Sequence, residues 1–363
     1  MKVLHILCEL NPSGAETMLL SAAPFLQNQN IHSEILSTGT NVGIFAETLN
    51  QAGYKIHHIP FRKSVNYFIN LYQLFTKEKY DSIHVHTEQG SFWVTIIALL
   101  SRLPAKRCVK TIHATFQFTG NLRWRRAWQR QLLSFLGIPH IAISKSVQDT
   151  ELKYFGIKTE IIPNWYDSTR FTKTADLAYK SNRQLLNLTD DQFVIVTVGN
   201  CATVKNHTAL IEAIAKLDNN NVVYLHIGKE NDCNEQDSAK NLGINNQVNF
   251  LGIQNNILPF LQAADLYVMP SLVEGFGIAA LEAIATEIPI LLTNVPGLSN
   301  FNKIFNGLHY CEPDADAIKN ALEIILKTPK ANLRASCHNT SKLAKLNFGI
   351  DKSVSAYISH YKS

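Results

Sequence analysis

The sequence predicts an α/β protein built from two doubly wound domains that face each other across a cleft. Three features carry this prediction. At 363 residues the chain is too long for one ordinary core. Short apolar runs alternate with helical stretches, the pattern of a parallel sheet covered on both faces. The alternation stops once, in a polar, turn-rich stretch at 161–192, and then restarts.

In chain order, KVLHIL (2–7) reads as an apolar strand and GAETMLLSAAPFLQNQ (14–29) has helical spacing. HSEILST (32–38), YKIHHIP (54–60), DSIHVHT (81–87), RCVKTIH (107–113) and PHIAIS (139–144) are further strands, with helical segments between most of them. The stretch 161–192 reads as an inter-domain linker with a helix inside it. FVIVTVGN (193–200), HTALIEAIAKL (207–217), VVYLHIG (222–228), QVNFLG (247–252), ADLYVMP (264–270), a helix from near Gly277 and IPILLT (288–293) renew the alternation. Helical material at 314–327 and about 330–362 closes the chain. The expected division is an N-terminal domain over 1–170, a C-terminal domain over 171–347, and a helix over 348–363 that crosses back to the first.

Composition narrows the class. The apolar fraction is 46%, as in a globular protein. No apolar run approaches the ~18 residues needed to span a bilayer, and MKVLHILCEL runs into Glu9 too early for a signal peptide. The six cysteines are scattered without a Cys-x-x-Cys, so reduced thiols in a cytoplasmic protein are expected, with no zinc site. Residues 1–170 hold eighteen Lys and Arg against eleven Asp and Glu; the remainder is slightly acidic. The first half therefore prefers an anionic neighbour. Much of that excess lies at 123–137, where Arg123, Arg125, Arg126 and Arg130 interleave with Trp124 and Trp128. This suits peripheral contact with an anionic membrane; a solvated helix that carries arginines fits the same pattern. No nucleic-acid motif is present. A nicotinamide-dependent oxidoreductase is disfavoured, because no G-x-G-x-x-G follows the first strand.

In doubly wound sheets ligands sit outside the carboxyl ends of the strands. Two such ends in the second half stand out. After ADLYVMP comes SLVEGFG, then a helix whose free N–H groups and dipole favour an anion. Glu274 lies in that loop and Glu282 in the helix, about 12 Å apart if one helix ran through both. That is wide for a glycosidase acid–base pair, at about 5–9.5 Å, and comfortable for two clamps on a long ligand. A helix cap and a solvated face are the alternatives, although AALEAIA is apolar all round. At the other end, VGNCATVKNH (198–207), Lys205 is placed to meet a phosphate.

PSLVEGFGIAALEAIATEIPIL resembles the E-x7-E signature of retaining glycosyltransferase family 4. NPSGAE (11–16), AISKSVQDTE (142–151), IIPNWYD (161–167), RF (170–171), VKNHTALIEA (204–213) and VNFLG (248–252) resemble family segments in family order, over essentially the whole chain. The resemblance implies the GT-B fold and transfer of a sugar, with retention, from a nucleotide-sugar donor. UDP is the expected base carrier. The acceptor would be a glycan or lipid-linked glycan in cell-surface polysaccharide synthesis, at the inner face of the cytoplasmic membrane. It implies an acceptor-binding first domain and a donor-binding second one. Glu274 would contact the donor sugar, the amides of Gly275, Phe276, Gly277 and Ile278 the sugar and diphosphate, and Glu282 the ribose. Lys205 would neutralise the diphosphate, and Ile253 and Gln254 would meet the base. Gly14 would let its loop approach the donor phosphates. His113 would face the sugar. From their own place at a strand end His86, Glu88 and Gln89 read as acceptor contacts, and on sequence alone each histidine also fits a satisfied strand end. Asn200 stands where the family has an arginine. No Asp-x-Asp of the metal-binding kind is evident, and DAD (314–316) reads as a helix N-cap. No metal or cofactor is therefore expected. A non-catalytic nucleotide-sugar-binding subunit, or a phosphorylase or epimerase of the same fold, is the alternative.

Overall fold

The computed structural model describes residues 1–115, 118–230 and 234–363. Cys233 lies outside the described residues; Cys8, Cys108, Cys311 and Cys337 are free thiols. The chain divides into two compact units, Met1–Trp165 with Phe348–Ser363, and Tyr166–Asn347. The division after Trp165 compares with an expected boundary after residue 170.

Unit 1 opens with β1 (Lys2–Leu7), α1 (Gly14–Asn28), β2 (His32–Ser37), α2 (Ala46–Gln51), β3 (Lys55–His58) and α3 (Val65–Glu78). It continues through β4 (Ser82–Val85), α4 (Ser91–Leu100), β5 (Cys108–Ile112), α5 (Gly120–Phe135), β6 (His140–Ala142), α6 (Lys145–Phe155) and β7 (Glu160–Ile161). All pairings are parallel, in the order β3-β2-β1-β4-β5-β6-β7. The winding reverses between β1 and β4, where such a sheet opens a crevice at its carboxyl ends. Local chemistry sets the helix ends. Ser64 and Ser144 accept from Tyr67 N and Val147 N at 3.3 Å and start α3 and α6. Gly156, at φ +67°, stops α6.

Unit 2 runs α7 (Asp176–Leu185), β8 (Phe193–Val198), α8 (His207–Ala215), β9 (Val222–Ile227), α9 (Glu235–Asn241), β10 (Val248–Phe250), α10 (Leu258–Ala263) and β11 (Leu266–Met269). There follow α11 (Ile278–Ala285), β12 (Ile290–Thr293), β13 (His309–Cys311), α12 (Ala315–Lys327), α13 (Lys330–Ser336) and α14 (Thr340–Phe348). The order β10-β9-β8-β11-β12-β13 repeats the first unit's winding, with the reversal between β8 and β11. Asp314 Oδ1 accepts from Ala317 N at 2.9 Å, so DAD is indeed an N-cap.

Each sheet is covered on both faces. In unit 2, Ile195, Leu210, Ile214, Tyr224, Leu266 and Leu322 meet in one apolar cluster. Burial of each such side chain stabilises by about 1.5–3 kcal/mol. The last helix, α15 (Ile350–Lys362), belongs to unit 1. It lays Tyr357 and Tyr361 on the sheet, where Tyr361 OH meets His84 Nδ1 at 2.6 Å and Tyr357 OH meets Thr111 Oγ1 at 3.0 Å.

Two strands depart from the expectation. β7 and β13 were not foreseen. They are two- and three-residue edge strands, too short for a periodic signal. The stretch 161–192 holds the division between the units and α7, and it is packed as well: Trp165, Tyr166 and Phe171 are buried, and Arg183 of α7 pairs with buried Asp265 at 3.0 Å.

Candidate functional site

In unit 2, most of the predicted donor residues gather at the carboxyl ends of β8 and β11, on either side of the winding reversal. Pro270 ends β11, and the loop to α11 is held from three sides. Asn206, itself at φ +59°, donates from Nδ2 to Pro270 O at 2.9 Å and to Pro313 O at 2.8 Å. Leu272 N donates to Val204 O at 2.8 Å, and Thr293 Oγ1 donates to Ser271 O at 2.6 Å. A Cβ on Gly297 would run into the Glu274 carbonyl, so the following turn fits closely against this one. Gly277, at φ +86°, takes the left-handed conformation that starts α11; a Cβ there would lie 2.6 Å from Leu298 Cδ2. Phe276 is buried edge-on against Phe301, with ring centroids 5.6 Å apart.

The loop brings Glu274 to Lys205. The Lys205 ammonium forms an ion pair with Glu274 Oε1, which also accepts from Ser271 Oγ at 3.3 Å. Lys205 runs across Gly199, where a Cβ would lie 3.7 Å from its Cδ and Cε and 3.8 Å from His207 Nε2. His207 is buried and pushed down to about 3 by burial, helped by His226 and Lys205, so it is neutral at pH 7. Asn200 is committed: its Oδ1 accepts from Lys229 N at 2.8 Å.

Glu282 lies on α11 among Leu281, Ala283 and Ile284 and is 6% exposed. Burial pushes its carboxyl up to about 8 against the pull of Arg170, and Asp167 adds to the rise. A solvated face is excluded. Arg170 donates to Asn256 Oδ1 at 2.5 Å and to Asn255 O at 3.4 Å. It thereby ties the loop after β10 to the neighbourhood of Glu282. In that loop Ile253 is exposed and Gln254 Nε2 donates to Leu251 O at 2.5 Å. The unit thus carries a cation beside a helix terminus at Lys205 and Gly277, and a buried carboxyl, raised by burial, near an amide-rich loop.

In unit 1, Gly14 is the exposed first residue of α1. The Ser13 hydroxyl beside it donates to Glu16, a buried carboxyl pushed up to about 7 by burial. His113 follows β5. Its Nε2 lies 3.0 Å from His86 Nδ1, and His86 Nε2 lies 3.2 Å from His5 Nδ1. Burial pushes His113 down to about 4 and His5 to about 3; His84 and His86 are also depressed, by burial and then by their histidine neighbours. The result is a file of neutral imidazoles leading to His113.

Glu88 is placed differently. It meets Lys110 at 3.3 Å and Arg130 at 2.9 Å, while Arg130 also pairs with fully buried Glu151 at 2.9 Å. Burial pushes Glu88 up, but Lys110, Arg130 and Arg126 together outweigh it and hold the carboxyl below its ordinary value. Its oxygens serve this cluster, which leaves little of them for an acceptor. The same cluster corrects the reading of 123–137. Arg126 and Arg130 point inward, to Glu88 and Glu151. The outward face of α5 carries Trp124, Trp128 and Phe135, exposed by 72%, 60% and 87%, with Arg125 among them. Arg123 lies over the rings of Trp124 and Tyr154. Among the described residues no helix is long and apolar enough to cross a membrane.

Sequence reasoning singled out no role for Glu16, Arg170, Asn206, His5, His84, His207 or Lys229. All of these but Lys229 lay within quoted segments. The histidines gave a signal only as alternate positions, His84 and His86, that one face of β4 would share.

Two family models match the chain: Glycosyltransferase Family 4 over residues 12–170 and Glycosyl transferases group 1 over residues 179–344. Among curated relatives, the Escherichia coli UDP-Gal:alpha-D-GlcNAc-diphosphoundecaprenol alpha-1,3-galactosyltransferase is 28% identical over 298 residues, covering 78% of this chain and 76% of that protein. The Staphylococcus aureus capsular polysaccharide biosynthesis glycosyltransferase CapH is 22% identical, covering 84% of each. Among solved structures, Anabaena HepE in complex with UDP and glucose superposes with a TM-score of 0.83 at 19% identity, over 99% of both chains. WaaG, a glycosyltransferase involved in lipopolysaccharide biosynthesis, gives 0.76 at 17% identity over 98% of both. These likenesses establish the GT-B fold.

Proposed function

This chain belongs to the group 1, family 4 glycosyltransferases, retaining enzymes that use nucleotide sugars, and from that premise we propose that it transfers a sugar from a UDP-sugar to a hydroxyl of a lipid-linked glycan during synthesis of a cell-surface polysaccharide. The observation that carries the reading is the Lys205–Glu274 pair at the mouth of α11. An ammonium and a carboxylate facing each other there are the two groups a sugar diphosphate separates. Phosphate oxygens replace Glu274 on Lys205, and the freed carboxylate accepts from sugar hydroxyls. The names of relatives support the substrate class: UDP-galactose and a diphosphoundecaprenol-linked acceptor for the Escherichia coli enzyme, UDP for HepE.

In the reaction the bond from the anomeric carbon to the diphosphate oxygen breaks and its electron pair stays on the diphosphate. The acceptor oxygen bonds to the same face of that carbon, and its proton passes to the departing phosphate. Lys205 and the amides of Gly277 and Ile278 stabilise the charge that develops. Glu282 holds the ribose. Gly14 is assigned to the donor phosphates, and Ile253 and Gln254 to the base. His113, neutral at pH 7, hydrogen-bonds a sugar hydroxyl rather than supplying charge. His86 acts behind it, and Glu88 braces α5.

Thermal-shift screening against UDP-, GDP- and ADP-sugars, followed by nucleoside-diphosphate release with a lipid-linked acceptor, tests the reading. Stabilisation and turnover with a UDP-sugar are expected, at a rate unchanged by EDTA. Release that requires a divalent metal would remove Lys205 as the principal counter-charge.

The acceptor's lipid gives the outer face of α5 a use. Trp124, Trp128 and Phe135 would enter the bilayer interface, with Arg123 and Arg125 at headgroup level. Because Arg126 and Arg130 are spent internally, the aromatic side chains outweigh the charge. Liposome flotation should fall more for Trp124→Ala with Trp128→Ala than for Arg125→Glu; the reverse order would point to a purely electrostatic contact.

A further inference from the structure

We infer that Lys229 is a second cation of the donor diphosphate site, standing in for the charge that Asn200 does not supply. The inference rests on the reading of unit 2 as the donor domain. A sugar diphosphate brings two negative charges to the carboxyl ends of β8 and β11. Lys205 offers one positive charge once the donor displaces Glu274 from it. His207, the other basic group beside Gly199, is kept neutral by its burial. The helix terminus contributes about half a charge. Against two negative charges these leave a deficit of about half a charge.

Lys229 is in place to provide it. β8 and β9 are stitched together past their last paired residues. Gly199 N donates to Ile227 O at 2.8 Å, Cys201 N donates to Lys229 O at 2.9 Å, and Lys229 N donates to Asn200 Oδ1 at 2.8 Å. A Cβ on Gly228 would collide with Gly199 O, so only glycine lets the two strand ends meet this closely. Asn200 therefore works as a clamp: its side chain fixes the backbone of Lys229 one hydrogen bond from its own position. The Lys229 side chain is exposed and, among the described residues, makes no ion pair or side-chain hydrogen bond. An ammonium on a flexible four-carbon stem, held at that strand end and unpaired, is free to swing to a phosphate.

Calorimetry with UDP and with uridine on the purified full chain tests this. Lys229→Ala should weaken UDP by about tenfold or more, the scale of a charge-assisted hydrogen bond, and leave uridine unchanged. Lys229→Arg should restore UDP affinity, and the melting temperature of both variants should match the parent, because the side chain is exposed. Equal UDP affinity in Lys229→Ala and parent, with a loss in Lys205→Ala, would overturn the role of Lys229 alone. A parent protein that binds neither UDP nor GDP would overturn it together with the donor-site reading.

Discussion

His86 Nδ1 and His113 Nε2 lie 3.0 Å apart, and the second nitrogen of His86 reaches His5 at 3.2 Å. Between neutral imidazoles such spacing requires one donor and one acceptor at each contact. The tautomer of His113 is therefore coupled to that of His86. His86→Gln should lower kcat by about tenfold through loss of this orientation, with the donor KM little changed. His113→Ala should lower it by about a hundredfold. A donor KM that rises in step with the loss of kcat in His86→Gln would show a binding defect instead of a positioning one.

In the proposed reaction Lys205 stabilises charge that appears only as the donor bond breaks. Lys205→Ala should reduce turnover by about a hundredfold or more. Single-turnover rates with saturating donor isolate that step. Activity near the parent's level would mean that the diphosphate is neutralised elsewhere.

Two sets of buried groups give the unliganded protein a pH profile with opposing slopes. His5, His84, His86 and His113 have folded pKa values below the ordinary 6.5. Their contribution is full above pH 6.5 and is lost as pH falls toward their depressed values, at up to about 1.4 kcal/mol per pH unit each. Glu16, at about 7, and Glu282, at about 8, act the other way: stability falls as pH rises from 4.5 to those values. The histidines outnumber the glutamates, so the melting temperature should drop between pH 6.5 and 5. Glu282→Gln should be more stable than the parent at pH 8 and close to it at pH 4.5. An increase in melting temperature on acidification would contradict this balance.

Gly297 lies outside the predicted motif, twenty-three residues after Glu274, and against it in space. Gly297→Ala places a methyl group into the Glu274 carbonyl and strains a residue at φ +99°. Nucleotide-sugar affinity should fall at least about tenfold. Crystals of the variant with unmoved Glu274 and unaltered affinity would show that the turn tolerates the group.

The loop and helix proposed as the donor end could be read from the chain because their parts are close in it. Glu274, the Gly-Phe-Gly turn and Glu282 lie within nine residues, and Lys205 follows its own strand end directly. Glu88 illustrates the opposite case. Beside the strand-end histidine His86 it read as an acceptor contact, yet its partners come from Lys110, Arg126 and Arg130, twenty-two to forty-two residues away. Arg126 and Arg125 are neighbours of the same type, and helical rotation alone sends one inward and the other out.

Hydrophobic periodicity and glycine placement were enough to establish two parallel sheets, their crossovers and a glycine-built turn after β11, because these depend on residues within one or two turns of each other. Which charges are spent on the core and which stay available depended on the three-dimensional pairing of distant strands. Asn200 became a clamp and Lys229 its neighbour only where β8 and β9 come side by side, since hydrogen bonds and ion pairs act over a few ångströms of space and carry no trace of the chain length between their partners.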